Sequence, residues 1–115
     1  MDDAVQAFLD AIASERRHLF DRIHRLVVGC RPDAELRLSY GMPTFVTPQG
    51  RMHVGVWKHG LSFYGWEAGR DGGFLDRHPE LKAHKGTIHV SPTAAAAIDD
   101  DEFRGLIRLA LGPPG

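Results

Sequence analysis

Cysteine occurs once, at Cys30, so the chain cannot close a disulfide on itself. A solitary thiol suits a reducing cytoplasm better than a secreted setting. No apolar run reaches the about 20 residues that a membrane span requires, and the opening MDDAVQAFLDA is acidic where a signal peptide is basic. Neither sign of charge dominates: 14 Lys and Arg face 15 Asp and Glu. No global field gathers phosphates, and neither nucleic acid nor membrane is an expected partner. The spacings of a zinc site are missing, since the seven histidines include no HExxH and no i, i+4 helical pair. Catalytic signatures are missing too: no GxSxG elbow, phosphate loop or paired-carboxylate motif is present. The expectation is a cytoplasmic protein with no assigned catalytic role.

What remains is ordinary globular material. With 115 residues, 43% apolar and 25% charged, the chain has the size and composition of one domain, residues 1–115. Folding at this length removes roughly two thirds of the surface of the unfolded chain, enough for a core without staples.

The first third is helical by spacing. Val5, Phe8, Leu9 and Ile12 share one stripe, and Leu19, Phe20, Ile23, Leu26, Val27 and Cys30 resume it after a polar gap. Ser14 sits before Glu15 as a helix-starting cap would, so two short helices and one bent helix both fit. Arg31-Pro32-Asp33 ends the region, because a residue before proline leaves the helical conformation. From Glu35 the period becomes two, with Leu36 and Leu38 alternating against polar neighbours.

Thr47-Pro48-Gln49-Gly50 reads as a type I turn closed by a left-handed glycine, joining a strand near Thr44–Thr47 to Arg51–Lys58. A second hairpin turning at His59-Gly60 would pair Trp57 with Ser62 and Gly55 with Tyr64. One face then collects Met52, Val54, Val56, Leu61 and Phe63, and the other His53, Gly55, Trp57, Ser62, Tyr64 and Trp66. A bulge at Gly50 would add Phe45 and Thr47 to the second, aromatic face. Gly69–Gly73 reads as a loop, and Phe74 to about Lys82 as a short helix broken at Pro79. Thr87–Val90 alternates again, sending Ile88 and Val90 to the core and Thr87 and His89 to the aromatic side. The acids Asp99, Asp100, Asp101 and Glu102 open a closing helix carrying Phe103, Leu106, Ile107, Ala110 and Leu111.

Three segments stand in a fixed order across nearly the whole chain. They are Tyr40-Gly41-Met42-Pro43-Thr44-Phe45 after the helical region, Lys58-His59-Gly60-Leu61-Ser62-Phe63-Tyr64, and Lys85-Gly86-Thr87-Ile88-His89-Val90 before the last helix. In this the chain resembles the YdhG-like family, a group of domains of unknown function. The resemblance implies an α+β fold, with N-terminal helices and a C-terminal helix packed on one face of a mostly antiparallel sheet. One branch of the family is described as frataxin-like iron chaperones, which implies iron as a cargo. The chain departs from the family pattern at Ser91-Pro92-Thr93 and the four alanines that follow.

Several groups are candidates for chemistry. Iron delivery would use exposed carboxylates, and Asp99, Asp100, Asp101 and Glu102 form the one acidic run. The same acids at a helix start also oppose the macrodipole with no further role. His53 and His89 share a side of the sheet and are the histidines placed to form a metal site. Lys58, His59, His84 and Lys85 could hold an anion or move a proton, although Cys30 continues the helical stripe as a buried, inert thiol. The aromatic face needs a cover, which the segment Glu67–Lys85, a second subunit or a ligand could supply. Tyr40, Met42, Phe45, Trp57, Tyr64, Trp66, Lys85 and His89 would line a small-molecule site there. Both a monomer and a homodimer fit this reading. The expected role is a binding or delivery module, with a small enzyme built on the Lys and His cluster as the alternative.

Overall fold

Helical spacing gives way to alternation at Glu35, and there the chain passes from helix into sheet. The fold is given by a computed structural model that describes residues 3–64, 72–84 and 87–112, with the backbone alone for 82–84. Before Glu35 lie α1 (Asp3–Asp10) and α2 (Ser14–Cys30). After it come β1 (Glu35–Ser39), β2 (Met42–Thr47), β3 (Gly50–Trp57), β4 (Gly60–Tyr64) and α3 (Phe74–Arg77). The chain continues through β5 (Lys82–His84), β6 (Thr87–Val90), α4 (Pro92–Ala96) and α5 (Asp100–Leu111). Six strands form one antiparallel sheet in the order β1-β2-β3-β4-β6-β5. This is the expected α+β class with helices packed on the sheet.

The N-terminal stripe becomes two helices. Ser14 is the first residue of α2 and not its cap; Ala13 holds the cap position and supplies no side-chain bond. The first turn closes through the backbone instead, with the Arg17 N–H donating to the Ala13 carbonyl at 2.8 Å.

The first hairpin differs from expectation in a way that decides the rest. Thr47 pairs directly with Gly50, so the turn is Pro48-Gln49 alone, and Gly50 is not left-handed and forms no bulge. The glycine serves a close approach: a Cβ on Gly50 would overlap the carbonyl oxygen of Ala110 in α5. Without a bulge Phe45 pairs with Met52 and joins the helix-covered side, where it is 1% exposed. Its expected place on the aromatic face is thereby corrected. Thr47 also turns to the core side and donates to the Leu111 carbonyl at 2.7 Å.

In the second hairpin Val56 pairs with Leu61 and Trp57 with Gly60, so Lys58-His59 is the turn. The partners lie two residues from the expected ones. Gly60 is again needed for proximity, since a Cβ there would overlap the Val90 carbonyl oxygen on β6. A slip of two residues leaves every side chain on its original face. Met52, Val54, Leu61, Phe63, Ile88 and Val90 accordingly enter one core with Leu19, Phe20, Ile23, Leu106 and Ile107 of the helices.

Two elements were not anticipated. The helix at Phe74 stops at Arg77, and beyond Pro79 the chain pairs along β6 as β5. α4 begins at Ser91, whose hydroxyl accepts from the Ala94 N–H at 3.1 Å with Pro92 in the first turn, a legible cap signature.

The His24 ring packs between Phe20 and Phe45, at centroid distances of 6.1 and 5.6 Å. Burial pushes its pKa below the ordinary value, with the Asp21 charge opposing and that of Arg17 assisting. The unfolded chain takes up a proton near pH ~6.5 that the folded chain refuses, so stability is full above that pH and declines as pH falls below it. In His24→Gln this decline should disappear from urea titrations, leaving only the carboxylate-linked loss that begins below pH ~4. Gly50→Ala should cost about 1–3 kcal/mol by forcing α5 off the β2–β3 turn, as measured by the same titrations.

Candidate functional site

Side chains of the other parity stand on the face away from the helices. β2 contributes Met42 and Thr44, β3 His53, Gly55 and Trp57, β4 Ser62 and Tyr64, and β6 Thr87 and His89. Strand pairing brings a hydroxyl beside an imidazole twice. Thr44 Oγ1 lies 2.9 Å from His53 Nδ1, and Ser62 Oγ lies 2.7 Å from His89 Nδ1. Both hydroxyl residues are buried, Thr44 at 0% and Ser62 at 1% exposure, and the imidazoles satisfy them as buried hydroxyls require.

An aromatic ring leans on each imidazole. Tyr40 meets His53 edge-on at 6.2 Å, and Trp57 meets His89 at 5.3 Å. The second contact bridges β4, which is possible because Gly60 has no side chain and Ser62 is small. Between the two clusters the Tyr64 ring lies over Gly55, where a Cβ would come within 2.7 Å of Tyr64 Cε2.

Tyr40, expected to line a small-molecule site with His89, stands instead beside His53. It begins a two-residue turn with Gly41, both left-handed at φ 53 and 74, and is 90% exposed. A bulky residue in that region is unusual and strained. Met42 is half-buried on the same face. Trp66 and Lys85 lie outside the described residues.

A concavity lies at the sheet end where β3 turns into β4 and β6 runs into α4. Its volume is about 310 Å³, and its walls are Trp57, His59, Glu80, Leu81, His89, Ser91 and Ala94. Trp57 is anchored through its backbone, since Arg16 of α2 donates from Nη1 to its carbonyl at 2.8 Å. His59 packs edge-on against the indole at 5.1 Å. The indole Nε1 is buried and has no hydrogen-bond partner among the described residues. Ser62 occupies Nδ1 of His89, so Nε2 is the remaining polar atom of that ring. The cavity thus has three nitrogen heterocycles, Trp57, His59 and His89, and one carboxylate, Glu80, in its lining.

Trp57 and His89 were legible as members of this site. Glu80, Leu81, Ser91 and Ala94 were not, because they arrive from segments whose course depends on tertiary packing; the Ser91-Pro92 cap was the available signal for two of them.

The metal candidates are not assembled. His53 and His89 bond to hydroxyls in separate strand pairs, and no group of three metal-ligating side chains occurs among the described residues. The acidic run is divided among arginines: Asp100 meets Arg22 at 2.7 Å, Asp101 meets Arg104 at 2.6 Å, and Glu102 meets Arg77 at 2.7 Å. The hydrogen bonds from Arg22 and Arg77 hold the Asp100 and Glu102 carboxyls below their ordinary pKa values. Asp99 is the cap residue of α5 but makes no side-chain cap bond. Among the described residues no helix is long and apolar enough to cross a membrane.

Ser62→Ala should leave His89 Nδ1 without its partner and cost about 1–2 kcal/mol of stability. Imidazole nitrogen shifts should also change from one fixed tautomer toward a mixture. Unchanged nitrogen shifts would mean that Ser62 does not orient the ring.

No protein-family model matches the chain significantly, and neither does any curated protein or solved structure.

Proposed function

We propose that the chain is a YdhG-like binding module whose site is the cavity lined by Trp57 and His89. The observation that carries this reading is the cavity of about 310 Å³ itself, which has the Trp57, His59 and His89 rings in its wall and so the ring-lined, sparsely polar character of small-molecule sites. Iron delivery gains less support, because three of the four acids in the run are already held by arginines. An enzyme built on Ser62 and His89 has a close hydroxyl–imidazole distance in its favour. The hydroxyl is buried, however, and no carboxylate bonds to His89 among the described residues.

Two truncations test the reading. Phe45→Ala empties the core and should cost about 3–5 kcal/mol. Trp57→Ala should cost well under half of that and abolish the thermal stabilisation that planar small molecules confer on the parent protein. Equal stability losses in the two variants, with no small molecule stabilising the parent, would make the indole an ordinary core residue and remove the site.

A further inference from the structure

The Trp57–His89 cavity shares His59 and Ser91 with a second, wider hollow of about 550 Å³ on the helix side of the same sheet end. The chemistry of the two differs. The wider hollow has no aromatic wall apart from the His59 edge and is lined by Arg16, Lys58, Ser91 and Thr93, with Glu15 at its rim.

Ion pairing separates these cations from six others among the described residues, while Arg25, Arg51 and Arg108 meet no carboxylate there either. Arg17, Arg22, Arg31, Arg37, Arg77 and Arg104 each meet a carboxylate. Arg16 and Lys58 meet none among the described residues. Arg16 spends one N–H on the Trp57 carbonyl, which fixes its guanidinium at the turn while leaving other donors of the planar fork free. Lys58 stands on the exposed turn itself. Two cations and the single anion Glu15 leave the hollow with one net positive charge while His59 is neutral. The Ser91 oxygen accepts from Ala94, and its hydroxyl hydrogen remains available to donate.

We infer that the ligand is a planar apolar molecule bearing an anionic group, a carboxylate or a phosphate, with its ring in the smaller cavity against Trp57 and His89 and its anion at Arg16 and Lys58. This rests on the cavity reading above and extends it to the class of ligand. The two hollows are both bounded by His59 and Ser91, and the inferred ligand spans them there. An anion bonded by a guanidinium and an ammonium is recognised through charge-assisted hydrogen bonds, which are stronger than neutral ones and shorter.

Three probes of similar size separate the possibilities: benzoate, phenyl phosphate and the neutral benzamide. Each is titrated into the full chain at millimolar concentration while the Trp57 indole N–H resonance is followed, assigned with a Trp66→Phe variant. One or both anions should move that resonance and bind about tenfold or more tightly than benzamide. Lys58→Met, at an exposed turn, should remove most of the preference without unfolding the chain. The tighter of the two anions identifies the group as carboxylate or phosphate. If all three bind equally, the cavity reading stands and the anionic ligand is overturned. If an anion binds without moving the Trp57 resonance, the pairing of the two hollows is overturned. If none of the three binds or moves the resonance, both readings fall.

Discussion

The last carbonyl of α5 is held at the turn between β2 and β3, and the register of the sheet depends on that grip. Leu111 accepts from Thr47 Oγ1 and from Arg31 Nη1, the latter at 2.6 Å. Arg31 is 4% exposed and is fixed in turn by both oxygens of Asp33, at 2.9 and 2.7 Å. A cation at the carboxyl end of a helix opposes the negative end of its dipole, and here it does so where solvent is excluded and the interaction is less screened. Gly112, left-handed at φ 92, then turns the chain away with its N–H on the Arg108 carbonyl at 2.9 Å. For α5 to settle this closely, residue 50 must lack a side chain, and with Gly50 in the strand the hairpin has no room for a bulge.

From that pairing the two faces follow by parity alone. Phe45 falls under the helices with Met52, and Thr44 falls opposite with His53. The helix-covered face is largely apolar, with Phe45 and Phe63 beside aliphatic residues. The other face consists of hydroxyls tied to imidazoles and rings resting on imidazoles, an arrangement that keeps polar atoms satisfied without a second layer of helix. Among the described residues, the one unsatisfied buried donor of these rings, Trp57 Nε1, lies at the sheet end opposite the α5 grip.

What could be read in advance follows the same division. The change of period at Glu35 was legible, and so were the faces of β3, β4 and β6, because alternation survives a two-residue error in the turn. The glycines at 50 and 60 were misread for a common reason. Beside Pro48-Gln49 or His59 a glycine suggests a left-handed turn residue, whereas each is required by a carbonyl that reaches it from a distant element, at Ala110 and Val90. Local sequence carries turn chemistry and does not carry such approaches. Phe45 went to the wrong face with Gly50, and Arg31, a charged residue after a helix, gave no sign that it would be buried. At the site, the rings were legible as rings, but the hollow they line was not. Its remaining walls come from Leu81 and from α4, a helix announced by nothing more than a Ser-Pro pair.

The two ends of the sheet therefore carry different loads. At the β2–β3 end a side chain added at Gly50 disturbs a helix, and a strand register with it. At the other end the turns at Tyr40-Gly41 and Lys58-His59 hold exposed residues that no helix covers. Apart from Gly41, whose φ of 74 favours glycine, substitutions at those turns can accumulate with little penalty in folding, so the surface of this sheet end is free to vary while the fold is kept.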